Sequence, residues 1–292
     1  MKKVLILTGK ATTITKALQP VLDRIAELHP DNDIEFTTGT FADLDFYIDG
    51  PNTHVSLHPT GADLADFDLV VFRTISDLKE EAMATATYLK QKGVKFFDRN
   101  YPRVWGRIGQ SFERWAADIA SPRTAAGTAA GLIAVLPQIG IPAVLKATNS
   151  RKGRDNYLIH DATELQRILE SNPDTKYVLQ QFIPNDGDYR VLVLDFDRVV
   201  LTLRKGQGDT HLNNVSAGGS ETLITDYSDL APVIDLARRC AKLDELSLAG
   251  VDVIVDRDTG APYILEVNRA PQCTLDAEID GFYQVIISEL DS

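Results

Sequence analysis

The stretch from Gly250 to Asn268 constrains the fold of this chain more than any other part of the sequence. Two alternating apolar segments flank the turn sequence Asp-Thr-Gly-Ala-Pro, a pattern that predicts a β-hairpin. Asp252 interrupts the first segment, and Glu266 and Asn268 lie two residues apart on one face of the second. A folded hairpin brings these oxygen-bearing side chains together, as a hard cation such as Mg²⁺ requires. The alternative is a solvated face on an edge hairpin, but charged groups among apolar residues need a partner.

Size and composition are those of a globular protein with more than one folded unit. The chain has 292 residues, of which 44% are hydrophobic and 25% charged. The net charge of -12 argues against duplex nucleic acid as a partner, because that binding relies on clustered lysines and arginines. No apolar run is long enough for a membrane span or a signal peptide. Cys240 and Cys273 have neither metal-ligand spacing nor a disulfide framework, so we predict a cytoplasmic protein without nucleic-acid or membrane partners.

Residues 1–104 alternate between apolar strands and helical segments, which predicts a parallel sheet covered by helices. A helix is expected at Thr13–Leu28, with a kink or break at Pro20. Residues 41–61 are predicted to form a long irregular loop. The predicted strands are Lys3–Thr8, Ile34–Thr37, Asp68–Arg73 and Val94–Phe97.

Residues 105–183 predict a small α+β unit, and residues 184–292 a strand-rich unit that ends in helices. In the first unit we expect a helix near residues 109–120 and a second helix of small residues near Ala125–Ile139. A strand then ends at Lys146. A further helix at Ala162–Glu170 is predicted to be capped by Asp161 or Thr163.

The motifs of residues 98–275 resemble, in their order, those of the ATP-grasp superfamily. The nearest resemblance is to RimK-like and glutathione-synthetase-like carboxylate–amine ligases. It implies an ATP-grasp fold of mixed α/β and α+β class: a pre-ATP-grasp domain (1–104), a lid (105–183) and a C-terminal metal-binding subdomain (184–292). The motifs are the lysine strand at Lys146, the glycine loop at Gly153, Gln-Gln-Phe-Ile at 180–183, Asp-x-Arg at 188–190, Asn-Asn at 213–214, Gly-Gly at 218–219, Gly-Val-Asp at 250–252 and Glu-Val-Asn at 266–268.

For the nucleotide, the resemblance implies that ATP lies between the lid and the C-terminal subdomain. Lys146 would bridge phosphate oxygens as a point charge. Gln181, Phe182 and Ile183 would form the hinge that receives adenine, and Asp188 would accept hydrogen bonds from ribose hydroxyls or from neighbouring groups. The other residues that the resemblance assigns to the nucleotide are Arg107, in place of a family lysine, Lys152, Gly153, Asn213 and Asn214.

For the metal and the substrate, the resemblance implies that Asp252, Glu266 and Asn268 hold two Mg²⁺ ions, with Mn²⁺ as a substitute. Arg190 would bind the substrate carboxylate or acyl phosphate, since a guanidinium contacts a carboxylate through two parallel hydrogen bonds. Arg204 would stabilise the transferring phosphoryl group. The residues that the resemblance assigns to the substrate cleft are Arg73, Gly218 and Gly219.

These assignments imply an ATP-dependent ligase that forms an amide through an acyl phosphate and releases ADP and phosphate. The acid and the amine could come from small molecules, amino acids, peptides or proteins, and the sequence leaves homo-oligomerisation open. Two alternatives remain: a kinase that stops after phosphoryl transfer, and a nucleotide-binding module with weak catalysis. Departures from the family in the loop around Gly153, at Arg107 and at Leu212 favour the second alternative, whereas the intact Asp252, Glu266 and Asn268 argue against it.

Overall fold

The computed structural model describes residues 1–75, 77–97, 106–148, 155–206 and 219–292. Four β-sheets are found within these residues. In chain order the N-terminal elements are β1 (Lys2–Thr8), α1 (Ala11–Thr13), a π-helical segment (Ile14–Leu18), α2 (Gln19–Leu28), β2 (Ile34–Thr40), β3 (Leu44–Tyr47), β4 (His54–Leu57), β5 (Ala62–Asp63), β6 (Leu69–Phe72), α3 (Lys79–Lys92) and β7 (Lys95–Phe97).

The N-terminal unit is built on a four-stranded sheet of order β2-β1-β6-β7, in which every pairing is parallel. This confirms the parallel sheet predicted from the sequence. Alternate residues of β1 point to opposite faces. Leu5 and Leu7 pack in one core with Leu89 of α3, whereas Val4 and Ile6 pack in another with Ile25 of α2. The sheet is therefore buried on both faces, as is usual for parallel sheets.

The prediction of a long irregular loop at residues 41–61 is wrong. β3, β4 and β5 form a small antiparallel sheet there. Leu44, Val55 and Leu57 are buried and join the core that contains Leu5 and Leu7. The alternation of Val55 and Leu57 was the available signal, but strands this short carry little of it on their own.

The helix predicted at Thr13–Leu28 forms, and it is irregular before Pro20. The π-helical turn Ile14–Leu18 precedes α2, and Pro20 lies in the first turn of α2. A proline has no backbone N–H to donate, so the first turn of a helix tolerates it best.

The second unit contains α4 (Arg107–Ala116), β8 (Thr124–Ala126), α5 (Ala129–Ile139), β9 (Ala143–Ala147), β10 (Asn156–Ile159), α6 (Ala162–Ser171) and β11 (Tyr177–Gln181). Its antiparallel sheet has the order β10-β9-β11-β8. Asp161 caps α6 by accepting a hydrogen bond from the Glu164 backbone at 2.8 Å, as predicted. The helix predicted from Ala125 begins later, at Ala129, because Thr124–Ala126 pairs with β11. Pairing with a distant strand overrides the helix propensity of these alanines.

The third unit contains β12 (Asp188–Leu194), β13 (Arg198–Lys205), β14 (Ser220–Ile224), α7 (Ala231–Leu243), β15 (Leu248–Val255), β16 (Pro262–Asn268) and α8 (Asp276–Asp291). Its antiparallel sheet has the order β14-β13-β12-β15-β16. The predicted hairpin is the β15–β16 pair, with a register shift between Asp252 and Val253.

Helices cover both faces of the five-stranded sheet. Val191 and Val251 pack in a core with Ala237 of α7, whereas Leu192 and Phe282 of α8 join the core that reaches Val4. The third unit thus shares a continuous core with the N-terminal unit. Within the described ranges, no helix has the length and apolar character needed to cross a bilayer.

Candidate functional site

Two cross-strand ion pairs lie side by side on β12, β13 and β15. Strand register places Arg190 opposite Asp252 and Asp188 opposite Arg204. Arg190 donates from Nε and Nη2 to the two oxygens of Asp252, at 2.8 and 3.0 Å. Arg204 Nε donates to Asp188 Oδ1 at 2.7 Å, and its Nη2 lies 3.0 Å from Asp252 Oδ2. The four side chains form one network, in which each charge has an opposite partner.

The pKa values in this network follow from burial and from pairing. Burial acts to raise the pKa of Asp252, but Arg190 and Arg204 together hold it below its ordinary value. Burial raises the pKa of Asp188 to about 6, although Arg204 acts against that shift. Asp188 has one close arginine and the neighbouring negative charge of Asp252, which explains why the two carboxyls differ.

The predicted metal ligands lie on the two paired strands of the β15–β16 hairpin. Asp252 and Glu266 are opposite each other in register, and Asn268 Nδ2 donates to Glu266 Oε1 at 3.1 Å. This contact uses the amide nitrogen of Asn268 and does not involve its amide oxygen. Glu266 Oε2 has Arg107 Nη1 at 3.7 Å, which is too far for a hydrogen bond. Arg190 is the only hydrogen-bond donor to Asp252 Oδ1 within the described residues, so a second lone pair remains there.

This donor set fits Mg²⁺. Two carboxylates and one amide oxygen are hard ligands, and Mg²⁺ completes its shell with water and substrate phosphates. Within the described ranges, no group of three or more His, Cys, Asp or Glu side chains that could hold a metal is found, and the hairpin is no exception. The hairpin set is the candidate metal site because its two carboxylates and one amide are hard oxygen donors.

A cavity of about 220 Å³ opens next to Glu266, between α4, the antiparallel sheet of the second unit and β16. Its lining is mainly polar, and it includes three cationic side chains with Glu266 as the one acidic member. Val178, Leu265 and Val267 are the apolar residues of the lining. The polar and charged residues of the lining are Arg107, Gln110, Ser111, Arg114, Ser121, Thr124, Lys146, Thr148, Gln180 and Glu266.

Lys146 is held in this cavity by a chain of hydrogen bonds that crosses β9, β11 and β8. Its Nζ donates to Gln180 Oε1 at 2.7 Å, and Gln180 Nε2 lies 3.1 Å from Thr124 Oγ1. Burial lowers the pKa of Lys146 to about 8, and the nearby charge of Arg107 adds to the shift. Glu266 acts in the opposite direction without cancelling it. The cavity therefore carries more positive charge than its own carboxylate compensates.

The adenine hinge predicted at Gln181, Phe182 and Ile183 begins at the last residue of β11 and does not line this cavity. The Gln181 side chain accepts a hydrogen bond from Arg123 Nε at 3.1 Å, so that interaction occupies its amide oxygen. Gln180 points toward Lys146 instead. Alternation along β11 puts adjacent residues on opposite faces, which explains why Val178 and Gln180 line the cavity and Gln181 does not.

Asp188 and Arg73 both contact other side chains or backbone of the protein. Asp188 is 5% exposed and accepts from Arg204, so its carboxylate supports that arginine instead of facing open space for a ribose. Arg73 Nη2 donates to the Pro271 carbonyl, and its guanidinium lies 5.0 Å from the centroid of the Phe282 ring. Arg73 thus connects the N-terminal sheet to the third unit.

Several predicted residues do not enter this geometry. Gly219 is half-buried and lies just before β14, and it does not line the cavity beside Glu266. The others lie outside the described residues: Lys152, Gly153, Leu212, Asn213, Asn214 and Gly218.

Sequence reasoning missed Gln180, Thr124, Gln110 and Arg114 as members of the cavity. The signal for α4 was present, since Arg107, Gln110, Ser111 and Arg114 follow the i, i+3, i+4, i+7 spacing of one helix face. Polar residues at this spacing are usually the solvent face of a helix, which is why the pattern alone did not identify a site.

Comparison with known sequences gives one family match. A family model described as a RimK-like ATP-grasp domain matches residues 116–282, more than half of the chain. D-alanine–D-alanine ligase B of Xanthomonas campestris pathovar campestris is 30% identical over 186 residues, which cover 59% of this chain and 54% of that protein. Coenzyme gamma-F420-2:alpha-L-glutamate ligase of Methanocaldococcus jannaschii is 29% identical over 135 residues, or 44% of each protein. The chain thus spans about half the length of the curated relatives that it matches.

Comparison with solved structures shows a shared fold. The ATP-grasp ligase PsnB, complexed with minimal precursor, Mg and ADP, has a TM-score of 0.71 and 15% sequence identity to this chain. The match covers 99% of this chain and 97% of PsnB. The likeness therefore extends over all three units.

Proposed function

The chain belongs to the RimK-like ATP-grasp family, and we propose that it is an ATP-dependent carboxylate–amine ligase. It would form an amide through an acyl phosphate and release ADP and phosphate. The observation that carries this proposal is the cavity in which Lys146, Arg107 and Arg114 surround Glu266, beside the paired arginines of the five-stranded sheet. An excess of positive charge next to oxygen ligands for a metal suits a nucleotide polyphosphate.

Substrate binding and nucleotide binding would be shared among three units, with boundaries near residues 104 and 183. The N-terminal unit and the third unit would hold the acid and the amine between them. The lid unit would supply Lys146 and cover the nucleotide. Gln181, Phe182 and Ile183 would meet adenine through their backbone, and Asn213 and Asn214 would orient the triphosphate. The phosphate cover would come from Lys152 and Gly153, and Gly218 and Gly219 would line the acceptor cleft.

Binding would be dominated by positioning and charge neutralisation, as in other phosphoryl transfers. Lys146 and Arg107 would bind oxygens of the polyphosphate. Asp252, Glu266 and Asn268 would hold Mg²⁺, most simply two ions, with Mn²⁺ as a substitute. When bound, the metal neutralises charge that develops on the phosphates during transfer.

The substrate acid would be oriented by arginine. Its carboxylate oxygen would attack the γ-phosphorus as ADP leaves, and an amine nitrogen would then attack the acyl carbon as phosphate leaves. Arg204, held by Asp188 and Asp252, would face the transferring phosphoryl group with its orientation already set. Arg190 would bind the acid with its planar fork when Asp252 turns to the metal.

The substrates would be an amino acid or a peptide on each side of the new bond. This proposal is supported by the names of similar proteins: a D-alanine–D-alanine ligase, an L-glutamate ligase and a ligase solved with a precursor. Arg73 would border the substrate cleft at the carboxyl end of β6, where ligands bind in open α/β sheets.

The test is an activity screen with trapping of the intermediate. Purified protein, ATP and Mg²⁺ are incubated with pools of amino acids and short peptides as acids, and hydroxylamine serves as a general amine. A hydroxamate formed together with equal amounts of ADP and phosphate is the expected result. AMP and pyrophosphate would contradict the mechanism by pointing to an adenylate, and a stable phosphorylated product would support a kinase instead.

A further inference from the structure

Helix α4 presents a polar face to the protein and an apolar face to solvent. Arg107, Gln110, Ser111 and Arg114 line the cavity, whereas the outer face carries exposed Ile108, Phe112 and Trp115. This is the reverse of the usual arrangement, in which the apolar face of a helix is buried. The inward polar face therefore needs an explanation beyond packing.

Arg114 is the most deeply buried cation on this face, with 6% of its surface exposed. Its guanidinium has two protein partners, and both contacts are long. Nη1 lies 3.5 Å from the Leu265 carbonyl oxygen, and Nη2 lies 3.4 Å from Gln110 Oε1. Typical N–H···O hydrogen bonds are about 2.7–3.2 Å long. The guanidinium, with five N–H donors, is thus poorly satisfied by the part of the chain that the structure describes.

No carboxylate within the described ranges forms an ion pair with Arg114. Burial lowers the pKa of Arg114, and the more distant charges of Asp244 and Glu266 only partly offset that effect. Arg190 and Arg204 differ, since each has a carboxylate within 3.0 Å. A buried cation with no close anion among the described residues is costly, and an anionic ligand would offset that cost.

We propose that Arg114 is a phosphate ligand for the bound nucleotide, outside the motifs that identify the family. This inference rests on the proposed function. Arg114 shares one cavity with Lys146 and Arg107, and with the metal ligand Glu266. A guanidinium forms paired hydrogen bonds with phosphate oxygens, and a buried one does so in a medium that strengthens them.

The lining of the cavity favours phosphate over the base. Hydroxyl, amide and cationic groups predominate, with Val178, Leu265 and Val267 as the apolar members. A nucleobase would need more apolar surface on which to stack. A carboxylate of the acid substrate shares the chemistry of a phosphate oxygen and is therefore a second source that the experiment must separate.

This role has a consequence for stability. If Arg114 is retained for a ligand, then replacing it with an apolar residue of similar length removes a buried charge and leaves the ligand-free protein as stable as before, or more stable. If Arg114 is structural, the same replacement would lower the melting temperature, because the Leu265 carbonyl and Gln110 would lose their partner.

The experiment measures binding of adenosine and of ADP with Mg²⁺ by calorimetry in the wild type, Arg114→Met and Arg114→Lys. Arg167→Met is the matched control, because Arg167 is an exposed residue of α6 in the same unit. We expect Arg114→Met to weaken ADP binding about 10- to 100-fold, which corresponds to the loss of charge-assisted hydrogen bonds. Binding of adenosine should stay unchanged, Arg114→Lys should lie in between, and Arg167→Met should match the wild type.

Four results would overturn the assignment. Equal losses for adenosine and ADP, or a melting temperature of ligand-free Arg114→Met several degrees below that of the wild type, would mean a structural role. Unchanged ADP binding with a raised KM for the acid would assign Arg114 to the substrate carboxylate. Unchanged ADP binding and unchanged KM would leave Arg114 with neither ligand. If the wild type itself fails to bind ADP, the proposed function fails along with the inference, and that result is distinct from the other four.

Discussion

The arginines of the five-stranded sheet and the cations of the neighbouring cavity solve the problem of buried charge in different ways. Arg190 and Arg204 face Asp252 and Asp188 at 2.7–3.0 Å, so their charges are balanced within the protein. In the cavity, Lys146 and Arg114 have only neutral hydrogen-bond partners within the described residues. Among the described residues, the first region supplies its own counter-charges and the second does not.

This difference separates pre-organisation from binding. A buried ion pair costs little when both partners are present, and it holds each side chain in one orientation. A buried cation without an anion loses stability until an anionic ligand arrives. The paired region is thus suited to orienting reacting groups, and the unpaired region to binding a polyphosphate. The predictions below test this division, from the largest expected effect to the smallest.

Glu266 lies where the two regions meet, and it is the sole carboxylate among the cavity residues. Glu266→Gln should lower Mg²⁺-dependent turnover by about a thousandfold or more, because a metal ligand is lost. Binding of ADP without Mg²⁺ should be kept or strengthened, because the mutation leaves more positive charge in the cavity. Steady-state kinetics and calorimetry check the two parts.

The control for this mutation is Glu170→Gln, an exposed change on α6 that should leave both quantities as in the wild type. Wild-type turnover in Glu266→Gln that also resists chelators would remove Glu266 from the metal site.

Asp252→Asn tests the paired region, since it leaves Arg190 and Arg204 buried with one carboxylate fewer. The free energy of unfolding should fall by about 3–5 kcal/mol, as is typical when one partner of a buried ion pair is removed. Urea denaturation measures this. Asp258→Asn, in the exposed hairpin turn, is the matched control and should change stability by less than about 0.5 kcal/mol. Equal stability of the two variants would show that the network contributes nothing.

The pH dependence of Lys146 tests the unpaired region. Burial, together with the charges of Arg107 and Arg114, lowers the pKa of Lys146 to about 8, although Glu266 and Asp188 act to raise it. ADP affinity should therefore fall as pH rises from about 7 to 9, by up to about tenfold, as the ammonium loses its proton. Calorimetry across this range measures the effect, and Lys146→Arg should flatten the curve because arginine stays charged.

The stability of the ligand-free protein should follow the opposite trend. The pKa of the folded state lies below that of an unfolded lysine, so between about pH 8 and 10.5 the unfolded state binds more protons. The contribution of Lys146 to stability therefore rises with pH across that window, and below it the cost of burying the charge is fully present. A flat difference between the wild type and Lys146→Met across these pH values would argue against a buried ammonium.

Local patterns predicted the parts of the site that lie on one element. The alternation around the Asp-Thr-Gly-Ala-Pro turn predicted the β15–β16 hairpin, and the i, i+2 spacing placed Glu266 and Asn268 on one face. Alternating strands and helices predicted the parallel N-terminal sheet, and Asp161 was correctly identified as a helix cap. The order of motifs predicted the family, which the match over residues 116–282 confirms.

Contacts between distant elements decided the rest. The register of β12 against β13 and β15 pairs Arg190 with Asp252 and Asp188 with Arg204, although 62 and 16 residues separate the partners. β9 and β11 are neighbours in one sheet, and Gln180 and Lys146 lie on the same face of it, where they form a hydrogen bond. Gln181 lies on the opposite face and contacts Arg123 instead. These outcomes depend on which strands become neighbours, and no local propensity contains that information.

The sequence by itself determined which side chains were available: the hairpin carboxylates, the lysine at a strand end and the polar spacing on α4. Only the tertiary structure decided which charges are balanced inside the protein and which remain for a ligand. The physical reason is that the energy of a charge depends on its burial and on the distance to its partner, and both are set when the units pack together. Arg114 and Arg190 have the same chemistry in the sequence, yet packing gives Arg190 a carboxylate at 2.8 Å, whereas Arg114 has neutral partners within the described residues.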